Sequence, residues 1–552
     1  MSRRRRALYA VVSTLVLAIG LSAGCGSKKK KDAKKRAAPT PATQTGDRYG
    51  GNLRLESPEP QYLNPVLQTR FERVNAQIFE GLVGLDARLE PVPRLAESWK
   101  LSESGKVVTF NLRKDVKWHD GEPFTARDVK FTYDAIMGVQ APTLWKAYFE
   151  NVDSVEITDD HTVVVVYKKP YALAVIAWTV GIIAKHQFEG EGDLAKNPAN
   201  EAPVGTGPFR LARWEQGKRI VLAANKDYWN GRPYLDNVEV VVGLSGPEIM
   251  NGLRTGKLDF VEIPDIKTWA NEAQLPEFQE KFEVKDVVEP GFQVIAWNLT
   301  RELTGNQKVR LALTHAINRS RIIDDVLLGQ ARPLSAPYFP NMFGADRSIA
   351  PHPFDLDRAV KLLDEAGYPS KDGQRFNLEM MVSESSRGYT TDEVLALIRH
   401  DFAAIGIDLK VSYVTPREFS NRAILREFDA AYFGWLPDIP DPDPYALLHS
   451  SQIPSGSIHA GYANPEVDRL LDEARAASDR DERKVLYQKV HAIIHKELPY
   501  TPLFADYGHY AYTRRLVGVN PNDVGPQPRF PGVARWRFSE QPHAGRVAKP
   551  AR

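Results

Sequence analysis

The residues that could do chemistry here fall into a few patterns, and most of them lack a required partner. Gly20-Leu21-Ser22-Ala23-Gly24 has the spacing of a nucleophile elbow, in which a strained turn between strand and helix presents a serine hydroxyl. It sits inside an apolar run behind Arg3-Arg4-Arg5-Arg6, where no such turn is expected, so it predicts no hydrolase. His491 and His495 stand four apart on an expected helix, which puts two imidazoles on one face as zinc requires. A zincin has Glu directly after the first His, and this chain has Ala492, so the pair reads as two surface histidines on a Lys-bearing helix. Gly205-Thr206-Gly207 runs into Pro208-Phe209 and not into the Lys-Ser/Thr of a phosphate loop, which leaves a tight turn. His119-Asp120-Gly121 looks metal-like in isolation and is assigned to a turn of the fold. No metal site and no cofactor is expected.

The acidic loop Asp438-Ile439-Pro440-Asp441-Pro442-Asp443 is different. It lacks the glycine and closing Glu of an EF-hand loop, so calcium is not its expected ligand. Prolines at 437, 440, 442 and 444 make it a stiff loop that holds carboxylates in place, which suits a preformed binding site.

The elements around these residues alternate between strand and helix patterns. Val107 to Leu112 reads as a strand with Val116-Lys117-Trp118 as its partner. Thr125 and Asp128 form a capping-box pattern before a helix with Val129, Tyr133 and Ile136 on its buried stripe. Asp355 can cap a helix carrying Leu356, Ala359, Leu363 and Ala366. A helix from Thr391 to Ile405 stops at Gly406 and feeds an alternating strand from Ile407. Asn464-Pro465 starts one late helix, and Asp479 to Leu498 supplies another. Helix, glycine, strand at this spacing is α/β construction.

Length, charge and the N-terminus set the setting. At 552 residues the chain is long enough for three or four domains or lobes, and 26% charged and 10% aromatic residues exclude wholesale disorder and a polytopic membrane protein. The formal charge of +2 hides an asymmetry: residues 1–46 hold eleven basic residues and one Asp, which leaves −8 for the rest. No global field for nucleic acid results. Four arginines, an apolar run from Ala7 to Leu21 and then Ser22-Ala23-Gly24-Cys25 have the order of an export signal. The only cysteine, Cys25, stands where lipoprotein processing would leave it as the acylated first residue. The Lys-rich stretch 26–46 reads as a solvated tether. A Pro- and Gly-rich stretch from Asn520 to Pro531 and a disordered tail at 541–552 close the chain.

Several segments together resemble the family 5 extracellular solute-binding proteins, the peptide- and nickel-binding components of ABC importers. The most specific is Leu95 to Tyr133, LAESWKLSESGKVVTFNLRKDVKWHDGEPFTARDVKFTY. Supporting segments are Tyr62-Leu63-Asn64-Pro65 with Phe79-Glu80-Gly81-Leu82, and Pro203 to Phe209 with Asn225 to Trp229. Further on come Trp297-Asn298, Val309-Arg310 with Ala316-Ile317-Asn318-Arg319, and Gly434-Trp435 leading into the Asp/Pro loop, all in family order over 50 to about 510.

The resemblance implies an α/β, bilobal, hinged periplasmic-binding-protein fold of the class II type, with an extra subdomain on lobe I. Its layout would put a signal peptide at 1–24, the lipidated cysteine and tether at 25–46, and lobe I at 47–283 with an insert at about 75–200. Lobe II would span 284–499 and the return to lobe I 500–540. By register with dipeptide-binding members, Asp438 would receive the amino terminus of a peptide. The family's carboxylate-binding arginine is matched by Ser385, with Arg387 two residues on, a departure that favours longer peptides or another cationic solute. Trp435 and Tyr432 could offer flat apolar faces to ligand side chains. The implied protein is a monomeric lipoprotein of the periplasm or cell surface that delivers peptides to permease subunits and has no enzyme activity. The alternatives are a binder of nickel chelate, glycan or opine on the same fold, and an exported hydrolase.

Overall fold

The computed structural model describes residues 49–539 apart from 70–71, 87–89, 140–142, 191, 289–290, 339–341, 436–440, 442, 454–459 and 521–531. The leader, Cys25, the tether, Asp438, most of the Asn520–Pro531 stretch and the tail lie outside the described residues.

Helix starts follow the capping residues. Thr125 accepts from Arg127 N–H, and its own N–H donates to Asp128 Oδ2 at 2.9 Å, so helix Ala126–Gly138 begins with two backbone donors satisfied. Val129 and Ile136 are buried beneath it and Tyr133 is half-buried. Asp355, Asn464 and Asp479 cap helices Leu356–Glu365, Pro465–Ala476 and Arg480–Glu497 through their side-chain oxygens. Helix Tyr389–Ala403 starts two residues before the expected Thr391. Gly406 then turns the chain at φ +80°, where a Cβ would lie 2.7 Å from the Gly373 carbonyl, into strand Ile407–Val414.

One pairing differs from expectation. Strand Val107–Leu112 is flanked by Ala96–Leu101 on one side and Thr162–Tyr167 on the other, within a four-stranded sheet completed by Val152–Asp159. Both edges are occupied, so Val116-Lys117-Trp118 has no place beside it. Lys117 bridges Pro123 instead, across the turn at 119–121.

The large sheet has twelve strands, and Tyr500–Thr513 organises it. Its first part, to Phe504, pairs with Phe292–Trp297. Its second part pairs with Phe282–Val288 and Phe260–Glu262. From the first part the sheet continues through Ala430–Trp435, Phe376–Ser383 and Ile407–Val414. From the second it continues through Asn52–Glu56, Asn237–Val241, Arg219–Ala224 and Phe209–Glu215. Hydrophobic burial divides in the same way: residues from Leu53 to Val284, joined by Tyr510 to Trp536, form the cores of one half, and residues from Phe292 to Ala505 those of the other. The chain passes between halves near 288–292 and, inside strand Tyr500–Thr513, near 504–507. That one strand is long enough to serve both halves.

Candidate functional site

Most motif residues are spent on the fold. Glu80 accepts from Tyr228 Oη at 2.6 Å and Trp229 Nε1 at 2.8 Å, joining two segments far apart in sequence, and burial pushes its carboxyl up. His119 lies between the backbone groups of the 203–209 segment: Nδ1 accepts from Gly205 N–H at 3.2 Å and Nε2 donates to the Gly207 carbonyl at 2.9 Å. Both bonds need a neutral ring, and burial lowers its pKa to about 4. Gly205 is close-packed against the end of helix Asn75–Ile78, since a Cβ there would fall 1.8 Å from the Ile78 carbonyl oxygen. Arg310 is 4% exposed and donates to the carbonyls of Glu497, Leu498, Thr304 and Gly305, closing two helix C-termini.

The histidine pair is not on the surface. His491 is 3% exposed, stacks on Tyr338 at 5.4 Å, bonds Ser335 Oγ and accepts from Asp346 N–H. His495 stacks on His352 with centroids 4.0 Å apart. Helix Arg480–Glu497 packs this face against the 335–352 segment, which periodicity in the helix alone does not reveal. Among the described residues no group of three or more His, Cys, Asp or Glu is placed to hold a metal ion.

The floor of the second half is built where strands end. Phe376–Ser383 and Ala430–Trp435 are parallel neighbours, so Ser385 and Arg387 follow one strand end and the Asp/Pro loop follows the next. Ser385 is exposed, with its hydroxyl 2.8 Å from Ser383 Oγ. The exposed Arg387 guanidinium lies over the Tyr413 ring at 4.8 Å. Tyr432 is 3% exposed and belongs to a core. Trp435 is half-buried and keeps accessible surface at the strand end.

The acidic loop is pinned from below. Asp441 bonds Arg483 at 2.5 Å with both side chains almost fully buried, and Asp443 bonds Arg475 at 2.7 Å. Asp441 holds the Arg483 guanidinium in its charged form, pushing its pKa up. Arg475 also lies 3.4 Å over the Tyr445 ring. Two of the loop's three aspartates are thus neutralised by arginines from helices Pro465–Ala476 and Arg480–Glu497. Sequence reading missed both arginines, because helix charges at these positions look like any solvated face.

The two halves touch across the space between them. Lys267 Nζ sits 3.1 Å from the Tyr389 ring centroid. Ala172 N–H donates to the Arg475 carbonyl, and Glu90 pairs with Arg480. A small cavity of about 170 Å³ lies at that second contact, lined by Trp99, Tyr171, Phe343, Arg480 and Arg483 among others. A cavity of about 890 Å³ lies elsewhere, within the first half, between Trp145, Arg94, Tyr228 and Arg535.

Two halves joined by two strand passages and touching at two places have the layout of a bilobal, hinged protein. The model of the bacterial extracellular solute-binding proteins, family 5 middle region, matches residues 90–456. The chain belongs to this family. As a family 5 member it is 30% identical over 547 residues to the oligopeptide-binding protein AppA of Bacillus subtilis, covering 94% of this chain and 96% of that one. The solved structure of that AppA with a nonapeptide superposes at a TM-score of 0.74 and 27% identity, covering 89% of this chain and 100% of that one. DppA from Helicobacter pylori, an ABC transporter-associated periplasmic binding protein solved with the peptide STSA, gives 0.74 at 28% identity over 89% and 98%. The fold is therefore the bilobal periplasmic-binding-protein fold, and the two halves are its lobes. No helix among the described residues is long and apolar enough to cross a membrane.

Proposed function

We propose that this solute-binding protein captures peptides in its interlobe cleft and hands them to the permease of an ABC importer, acting as a monomer without catalysis of its own. The observation that carries the reading is the charge layout at two adjacent strand ends. One end leads to a stiff acidic loop, and its neighbour leads to Arg387, which has no acidic partner among the described residues. A peptide offers an ammonium and a carboxylate to match. Asp438 is the acid assigned to the ammonium, since Asp441 and Asp443 are already paired. Ser385 leaves no arginine at the position dipeptide binders use, which favours peptides longer than two residues, with Trp435 covering a side chain. Tyr432 sits behind this surface and supports it. Anchoring, in the periplasm or at the cell surface, is assigned to acyl chains on Cys25.

Mass spectrometry of protein purified under native conditions tests the reading. A heterogeneous set of intact peptides, released in stoichiometric amount on denaturation, is expected. A metal chelate or a sugar in their place would move the protein to another ligand class, and progressive peptide loss that survives repurification would make it a hydrolase.

A further inference from the structure

Asp506 stands where strand Tyr500–Thr513 passes between the lobes, with Ala331 as its ladder partner. Side chains alternate along a strand, so Asp506 shares a face with Phe504, two residues before it. On the neighbouring strands the same face carries Tyr432 and Gly434, and Ile295 and Gln293. Phe504, Tyr432 and Ile295 belong to one core, and Gly434, Gln293 and Asp506 lie beyond it on the same face. Gly434 is exposed, and the Gln293 amide fills the place where a side chain at 434 would begin, its nitrogen 3.0 Å from that point.

The Gln293 amide donates to the Asp506 carboxylate. The other oxygen, Oδ1, has less than 1 Å² of exposed surface and no hydrogen-bond partner. A carboxylate oxygen cut off from water normally finds a donor, so an empty one at a binding cleft marks a contact still to be made. Among the described residues no cation pairs with it. Tyr432 is the titratable neighbour that senses it, Arg332 on strand Ala331–Pro333 donates to the Tyr507 hydroxyl, and His509 further along the strand is paired with Asp286. Burial accordingly pushes the carboxyl up to about 7.

We propose that Asp506 is a second ligand-binding acid of the cleft, whose free oxygen accepts a hydrogen bond from an N–H group of the bound peptide while Gln293 orients the carboxylate. The inference rests on the peptide-binding reading. A donor at Oδ1 favours the ionised form, so binding near neutral pH releases a proton from Asp506, and affinity rises with pH through the region of 7. N-methylation of the contacted peptide nitrogen removes the bond.

Calorimetric titration with trialanine, pentaalanine and nonaalanine, in two buffers of different ionisation enthalpy at pH 6 and pH 8, tests this. Wild type is expected to bind more tightly at pH 8 and to release protons. Asp506→Asn is expected to fold at least as stably, because it removes a buried charge. It should lose the proton release and the pH dependence, and bind about 10- to 100-fold more weakly at pH 8. A folded Asp506→Asn protein with unchanged affinity and unchanged proton release overturns the assignment and leaves the peptide reading standing. Wild type that binds none of these peptides at either pH removes both.

Discussion

The backbone N–H of Ala172 donates to the carbonyl of Arg475 at 2.7 Å, and the Arg475 guanidinium in turn holds Asp443. Ala172 follows the four-stranded sheet of lobe I, and Arg475 lies on lobe II. Tyr171 beside it is 7% exposed, and its phenol is influenced by Arg475, Asp443 and Asp441. Lobe closure is thereby tied to the anchor of the acidic loop: when the lobes part, the residues that pin the loop lose their cover. Asp441 and Asp443 are held by Arg483 and Arg475 from one lobe while Ala172 of the other lobe bonds the Arg475 carbonyl.

The Glu90–Arg480 pair at this contact is about 40% exposed on each side, so it is a latch and not a pillar. Glu90→Gln should change unfolding free energy by no more than about 1 kcal/mol. Peptide dissociation, followed by stopped-flow fluorescence, should become several-fold faster, with the effect shrinking as salt rises.

Breaking the buried Asp441–Arg483 pair is a different matter. Arg483→Met leaves an uncompensated carboxylate inside the protein and should cost about 3–5 kcal/mol in denaturant unfolding. The double variant Asp441→Leu with Arg483→Met should recover much of that loss, because both charges are gone. If the double variant is as unstable as the single one, packing and not charge governs the site.

Acid should destabilise the histidine-rich face of lobe II. Burial lowers the pKa of both His352 and His491 to about 4, and His352 also faces His315, His495 and Arg319. These rings are neutral in the folded state, while in the unfolded chain they titrate near 6.5. Their contribution is complete above about 6.5 and is lost progressively as pH falls toward 4. Melting temperature between pH 7.5 and pH 4.5 should fall less steeply in His352→Asn than in the parent.

Asp438→Asn should leave folding nearly unchanged while binding weakens by about 2–5 kcal/mol, if the residue receives the peptide ammonium. N-acetylated peptide should bind wild type as poorly as free peptide binds the variant. An acetylated peptide that binds as tightly as the free amine removes Asp438 from this role.

Cys25→Ser should abolish lipid attachment without touching the fold, since stable anchoring takes more than one acyl chain. Detergent-phase partitioning of both forms measures it, and equal partitioning counts against a lipid anchor.

The sequence by itself determined the local elements and the family. Thr125 with Asp128, Asp355, Asn464 and Asp479 announce helix starts because capping is a contact within four residues, readable from spacing alone. The motif segments run in family order over nearly the whole chain, and lead to the bilobal fold. Only the tertiary structure decided which charges are paired. Asp441 and Asp443 look identical to Asp438 in the sequence, and their arginines lie 42 and 32 residues further along the chain. The placing of His491 in a buried stack, the lack of a strand partner for Val116-Lys117-Trp118, and the unsatisfied oxygen of Asp506 have the same origin. Whether a polar group is paired, buried or left open depends on what long-range packing brings beside it, and residue type and spacing carry no record of that.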